Sequence, residues 1–242
     1  GRRGVGLTAD ASRVTLHRFF VAPEAMAGDH FPLPAEIARQ VSRVLRLRDD
    51  DRLVLLDGLG NQAAVVLSGG KCNVESRGPA GGEPRHRLTV WQALLRGDHL
   101  EPVIRHGTEV GIAEFRLVVS ERCVARDLSP RKLERLASVA REAAEQSERG
   151  IVPPVIGPLP LTDALADGSV LLYERHHGER LSVLEPPRSL VIGPEGGFTP
   201  DEVLAAERAG LIIAGLGPRI LRSETVAVAA AAVVLSRSGD FA

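Results

Sequence analysis

From residue 87 onward, short apolar runs alternate with amphipathic or small-residue stretches, and few architectures accept that rhythm. RLTVWQAL, FRLVVS, VPPVIG, SVLLYE, SLVIG and LIIAGL read as strands. HLEPVIRHGTEVG, SPRKLERLASVAREAAEQSER, LTDALADG, the segment opened by TPDE, and SETVAVAAAAVVLSR read as the helices between them. The helix ends carry their own signals. Gly111 follows one helix as a stop, Ser129 caps the next with Pro130 at its first position, and Thr199 with Glu202 forms a capping box. Strands joined through helices lie parallel, with helices over both faces of the sheet. The expected fold class is α/β with a mostly parallel sheet.

The earlier part of the chain has another texture. VTLHRFFV, DRLVLLDG and QAAVVLSGG read as strands, separated by turn signals at Asp57-Gly58 and Gly69-Gly70. A helix is expected over residues 34–45, where Ile37, Val41, Val44 and Leu45 share a face. Residues 16–75 thus form a small strand-rich domain, and residues 76–86, SRGPAGGEPRH, read as a linker with little capacity to pack. Residues 1–15 read as a flexible extension and residues 87–242 as the second domain.

Composition excludes several classes. No apolar run approaches the roughly 20 residues of a membrane span, and the first residues lack the apolar core of a secretory signal. The two cysteines, Cys72 and Cys123, suggest neither a disulfide framework nor a metal site. A cytoplasmic location fits. The net charge of −1 gives no global basic signature, so any nucleic-acid contact must come from a local patch. Lys71 and Lys132 are the only lysines, and the other cations are arginines; a GC-rich coding sequence accounts for that bias, and arginine also suits phosphate and base stacking. GxGxxG, GxxxxGK[ST], GxSxG and HExxH are all missing. The histidines, His176-His177 included, read as surface or core polar residues, and no metal is expected.

Two loops stand out. IGPEGG, residues 192–197, and GLGPRILRSET, residues 215–225, each follow a strand and precede a helix. Ligands of open parallel sheets bind beyond the carboxyl ends of the strands. Glycines there let the main chain approach a flat ligand closely. The same loops also read as plain turns between elements.

Seven segments together carry a resemblance: HRFFV (17–21), VLRLRDDD (44–51), LEPVIRHGTEVGI (100–112), ERC (121–123), REAAEQSERGIVPPV (141–155), IGPEGGFTPDE (192–202) and LGPRILRSETVA (216–227). In these the chain resembles the SPOUT, or α/β trefoil-knot, RNA methyltransferases, and within them the bacterial 16S ribosomal RNA uridine-N3 methyltransferases. Arg96 stands where that family usually has lysine, Glu109-Val110-Gly111 where it has ELG, and Ser223-Glu224-Thr225-Val226 where it has TETA. The resemblance implies a PUA-like β-barrel over residues 16–75 and a trefoil-knotted methyltransferase domain. It also implies S-adenosylmethionine as cofactor, a homodimer, and 16S ribosomal RNA or the small ribosomal subunit as partner.

The resemblance assigns roles as well. The cofactor would rest on Gly193, Pro194, Glu195, Gly196 and Gly197, and on Leu216, Gly217, Ile220, Leu221 and Arg222, with Leu172 completing the pocket. Methylation of uridine N3 requires loss of the N3 proton and support for the anion. Arg222 is the first candidate cation and Arg149 the second. Glu224 or Glu195 either accepts the proton or orients an arginine, and Glu224 reads equally as a carboxylate that only complements a helix N-terminus. Glu145, Gln146 and Arg149 are expected on one polar helix face. RNA would meet Arg18 and Phe20, with Arg43 and Arg46 in a basic stripe. Ribose 2′-O-methylation and a non-catalytic RNA-binding module remain as alternatives.

Overall fold

The computed structural model describes residues 16–175 and 178–241. The expected extension over residues 1–15 and the His176-His177 pair lie outside the described residues. Two compact units are present. One holds the described residues up to Asp57 together with Asn61–Pro79, and the other holds Gly58–Gly60 and the chain from Ala80 onward.

The first unit contains β1 (His17–Phe20), β2 (His30–Pro32), α1 (Ala35–Arg39), β3 (Arg52–Leu56), β4 (Asn61–Ser68) and β5 (Lys71–Pro79). They form one sheet in the order β1-β3-β4-β5-β2. β1 runs parallel to β3 and the remaining pairs are antiparallel. The sheet is mixed and open, since its end strands β1 and β2 do not pair with each other, so the expected barrel is not closed. Alternation sets its core: Ala63, Val65 and Leu67 of β4 are buried with Phe19, Phe31, Ile37, Leu53 and Leu55.

Two expectations change in this unit. The helix over residues 34–45 is one α-helical turn, Ala35–Arg39, followed by a wider i→i+5 turn over Gln40–Val44. The widening rotates the end of the segment, so Ile37 and Val41 are buried but Val44 is exposed. The linker also starts later. β5 pairs with β4 as far as Pro79, and a bulge between Ala64 and Val65 carries the ladder through the polar and glycine positions that hid this strand.

Cys72 is fully buried on β5, and that burial pushes its thiol up to about 11. Because the thiolate is the reactive form, Cys72 should resist a maleimide at pH 8 in the folded chain and react once the chain is unfolded, as counted by mass spectrometry. The sign for stability follows: the neutral thiol is favoured by folding, so this contribution is lost as pH rises toward about 11.

The second unit contains β6 (Thr89–Ala93), α2 (Leu100–Val110), β7 (Glu114–Val119), α3 (Pro130–Gln146), β8 (Val155–Pro160), α4 (Leu161–Asp167), β9 (Val170–Leu172), β10 (Ser189–Ile192), α5 (Pro200–Arg208), β11 (Ile212–Ala214) and α6 (Ser223–Arg237). The sheet order is β11-β9-β10-β6-β7-β8 and every pairing is parallel. The chain moves outward from β6 through β7 to β8, then returns to β9 and β10 on the other side of β6. Connections therefore diverge between β6 and β10, the kind of switch point where α/β sheets bind ligands.

The helix boundaries follow the capping chemistry. Gly111 ends α2 in the left-handed region at φ 108°, and Ser129 Oγ accepts from the Lys132 amide. At α5, the Glu202 amide donates to Thr199 Oγ1 at 3.2 Å and the Thr199 amide donates to Glu202 Oε2 at 2.8 Å. Thr199→Ala should cost about 1 kcal/mol of stability in chemical denaturation.

Residues 80–86 pack, contrary to their composition. A Cβ on Gly82 would lie 2.5 Å from the Glu148 carbonyl oxygen, so only glycine fits against that backbone. Glu83 beside it forms an ion pair with Arg149 at 2.7 Å.

Candidate active site

The carboxyl ends of β6, β9, β10 and β11 open on one cleft of about 620 Å³, within the range of small-molecule sites. The loop after β10 forms one wall. Its turn closes through the Gly197 amide, which donates to the Pro194 carbonyl at 2.9 Å with Gly197 at φ 65°. The backbone at Gly197 favours glycine, and a Cβ there would sit 2.8 Å from Glu174 Oε1, so that side chain would have to move aside. Arg122 Nη1 holds the loop from behind, donating to the carbonyls of Gly196 at 3.0 Å and Phe198 at 3.3 Å.

The loop after β11 forms the facing wall, with Gly217 at φ 114°. A buried polar link ties the two loops to the sheet. Ser223 Oγ donates to the Gly193 carbonyl at 2.6 Å, and Gln92 Nε2 at the end of β6 donates to Ser223 Oγ at 3.0 Å. Gln92 is fully buried and Ser223 nearly so, which strengthens these bonds and penalises their loss.

The lining divides into apolar and charged parts. Leu172, Ile192, Leu216, Ile220, Leu221 and Val226 supply apolar surface. Glu174, Glu195 and Glu224 supply carboxylates, and Arg96, Arg175, Arg219 and Arg222 supply cations. Some of these charges are paired. The Arg96 amide donates to Glu195 Oε1 at 2.9 Å, and His99 Nδ1 lies 3.5 Å from Glu224 Oε1. Arg222, at the N-cap of α6, is exposed, and its guanidinium has no hydrogen bond or ion pair among the described residues.

All the residues expected to hold a cofactor line this cleft: Leu172, Gly193 through Gly197, Leu216, Gly217, Ile220, Leu221 and Arg222. Glu224 lines it too. Arg149 does not. α3 ends at Gln146 and Glu148 takes a positive φ of 60°, which turns Arg149 away from the helix face and into the interior. Only 2% exposed, Arg149 Nη1 donates to the Thr108 and Ile112 carbonyls at 3.0 and 2.7 Å, and its other nitrogens meet Glu83. Its donors are engaged in holding structure, so it is withdrawn as a catalytic cation.

The first unit corrects the RNA expectations in part. Phe19 and Phe20 are both 2% exposed, so Phe20 cannot stack on a base. Arg18 is half-buried and donates to Gln62 Oε1 at 3.3 Å. Arg43 and Arg46 are exposed. Sequence reasoning missed His99, Glu174, Arg175 and Arg219 as cleft residues. The signal for His99 was its place just beyond β6, at the switch point.

The sequence profile of the RNA methyltransferase domain family matches residues 82–235. The chain is 34% identical over 223 residues to the ribosomal RNA small subunit methyltransferase E of Mycobacterium bovis, covering 80% of this chain and 82% of that protein. It is 32% identical to the protein of the same name from Synechocystis, covering 93% of this chain and 79% of the relative. The crystal structure of a ribosomal RNA small subunit methyltransferase E from Neisseria gonorrhoeae bound to S-adenosyl methionine superposes with a TM-score of 0.83 at 28% identity, over 91% of this chain and 97% of that one. The chain therefore belongs to the ribosomal RNA small subunit methyltransferase E family, with the RNA methyltransferase domain in its second unit.

Proposed function

We propose that the protein methylates N3 of a uridine in 16S ribosomal RNA with S-adenosylmethionine as methyl donor. One observation carries this reading: the two glycine-bearing loops flank a single cleft and are tied together through Ser223 and Gln92. The cleft suits that cofactor. Backbone at Gly193–Gly197 and Leu216–Leu221 can face the adenosine, Leu172 and Leu221 offer apolar walls to the base, and three carboxylates complement a sulfonium and an ammonium. When bound, S-adenosylmethionine supplies an electrophilic methyl group.

The chain's own residues supply the rest. Alignment of the reacting atoms comes from rigid loops on strand ends. Arg222 is placed to stabilise charge on the uridine oxygens as N3 loses its proton. Arg43 and Arg46 of the first unit, with Arg18 at its edge strand, are read as phosphate contacts. The trefoil knot, a PUA-like role for the first unit, the homodimer and the cytoplasmic location belong to the same reading and rest on the resemblance. No helix among the described residues is long and apolar enough to cross a membrane.

Calorimetry tests the cradle. S-adenosylmethionine should bind at micromolar concentration, and Gly197→Val should abolish the heat signal because a β-branched residue is strained at φ 65° and deforms the turn. No binding to the wild-type chain would remove the reading.

A further inference from the structure

The methyl-transfer reading leaves one group unassigned, the acceptor of the N3 proton. We infer that His99 is that acceptor, with Glu224 as the carboxylate that orients and balances its imidazole. This inference rests on the proposed uridine-N3 chemistry and deepens it.

His99 sits where the chain leaves β6 and enters α2, as the N-cap residue of that helix. Its side chain makes no capping bond there, so the imidazole is available to the cleft it lines. Nδ1 faces Glu224 Oε1 at 3.5 Å, while Nε2 has no hydrogen-bond partner among the described residues. Catalytic contacts of this kind are often loose before substrate binds. The arrangement is that of a base beside a third group: the carboxylate lies against one ring nitrogen, and the far nitrogen is left for the substrate.

The division of labour between the two side chains follows from their chemistry. Glu224 lies in the first turn of α6, where the helix dipole complements a carboxylate, which suits it to charge balance. An imidazole titrates near working pH and is the better matched proton acceptor. The step balances. The N3–H bond breaks and its proton passes to His99 Nε2. The N3 electron pair forms the N–CH3 bond as the C–S bond of the sulfonium breaks, leaving a neutral thioether and an imidazolium beside the Glu224 carboxylate.

Other charges bear on His99. Glu195, Arg219 and Arg222 share its cleft, Arg96 and Asp98 lie on its own segment, and Lys132 of α3 reaches the Gly97 carbonyl and lies 3.7 Å from Asp98. Among the described residues, Glu224 is the carboxylate within 4 Å of the ring.

The test uses the full chain, small ribosomal subunits lacking the mark, and single-turnover kinetics. His99→Ala should lower the rate by about 10²–10⁴-fold, the usual worth of a positioned acid–base group. Free imidazole should restore at least about tenfold of that loss, and the acid limb of the wild-type rate between about pH 5 and 8, where imidazole titrates, should be missing from the variant. Calorimetry should give the variant an unchanged affinity for S-adenosylmethionine, and its melting curve should match wild type. A variant within about threefold of wild type, a loss that imidazole does not restore, or a loss explained by weaker cofactor binding each overturns the inference. Failure of the parent reading looks different: the wild-type chain then methylates no uridine N3, and the inference falls with it.

Discussion

Replacing Arg149 by alanine is expected to destabilise the second unit by about 2–4 kcal/mol, less than the roughly 3–5 kcal/mol of breaking a fully buried ion pair, because the Glu83 left behind is 25% exposed. The guanidinium is 2% exposed and meets three acceptors: the Glu83 carboxylate and the carbonyls of Thr108 and Ile112. Those carbonyls lie at and just beyond the end of α2, where the Gly111 amide also donates to the Thr108 carbonyl, so the arginine reinforces a helix end that the backbone already closes. Through Glu83 it also fixes residues 80–86, and Glu83 Oε1 in turn accepts from the Ile151 amide at 3.0 Å. Alanine leaves a carboxylate without its counter-ion, takes one of two donors from the Thr108 carbonyl, which keeps the Gly111 amide at 3.1 Å, and takes the Arg149 donor from the Ile112 carbonyl. At about 2–4 °C per kcal/mol for a domain of this size, the melting temperature should fall by about 10 °C. Glu83→Gln keeps hydrogen-bonding capacity and should cost less. A melting shift under about 2 °C for Arg149→Ala would refute this placement and restore the residue as a candidate for chemistry.

Arg222→Ala should act in the opposite way, on rate and not on stability. Its guanidinium is exposed at the cleft and has no hydrogen bond or ion pair among the described residues. Its side chain is not held by neighbours before RNA binds, so its removal should cost at least about tenfold in kcat, less than the roughly 10²–10³-fold of a preorganised donor. Arg222 also lines the cofactor cleft, so affinity for S-adenosylmethionine should fall too, but by a smaller factor than the rate, because the charge it stabilises develops only on the RNA base as that loses its proton. Arg222→Lys keeps the charge but loses the planar fork, so it should recover only part of the rate. Single-turnover kinetics with calorimetry on the same preparations separates these terms. An unchanged kcat in Arg222→Ala would remove this residue from the mechanism.

The parallel sheet and its helices were legible because the relevant signals are local. Pro130, Thr199, Glu202 and Gly111 mark helix ends through bonds made within a few residues. The two glycine loops were legible for the same reason, as turns that need backbone freedom at Gly197 and Gly217. β5 was not, because Gly78 and Pro79 resemble a linker and its register is set by β4 and a bulge, neither of which its own residues report. Phe20 and Arg149 show a related limit. Both residue types suit RNA chemistry, but burial decides their use, and burial depends on neighbours distant in sequence. His99 illustrates the converse. Nothing near it in sequence suggests chemistry; the strand order brings it to Glu224 at the start of α6.

The central claim is that this cleft directs a methyl group to one ring nitrogen of ribosomal RNA. Its most direct test is to incubate the purified chain with S-adenosylmethionine and small ribosomal subunits from a strain lacking the protein, then map modified nucleosides by mass spectrometry. The account predicts a single new methyl group, on N3 of a uridine in 16S ribosomal RNA. A methyl group on a ribose oxygen or another base, or no new methyl group at all, would contradict it.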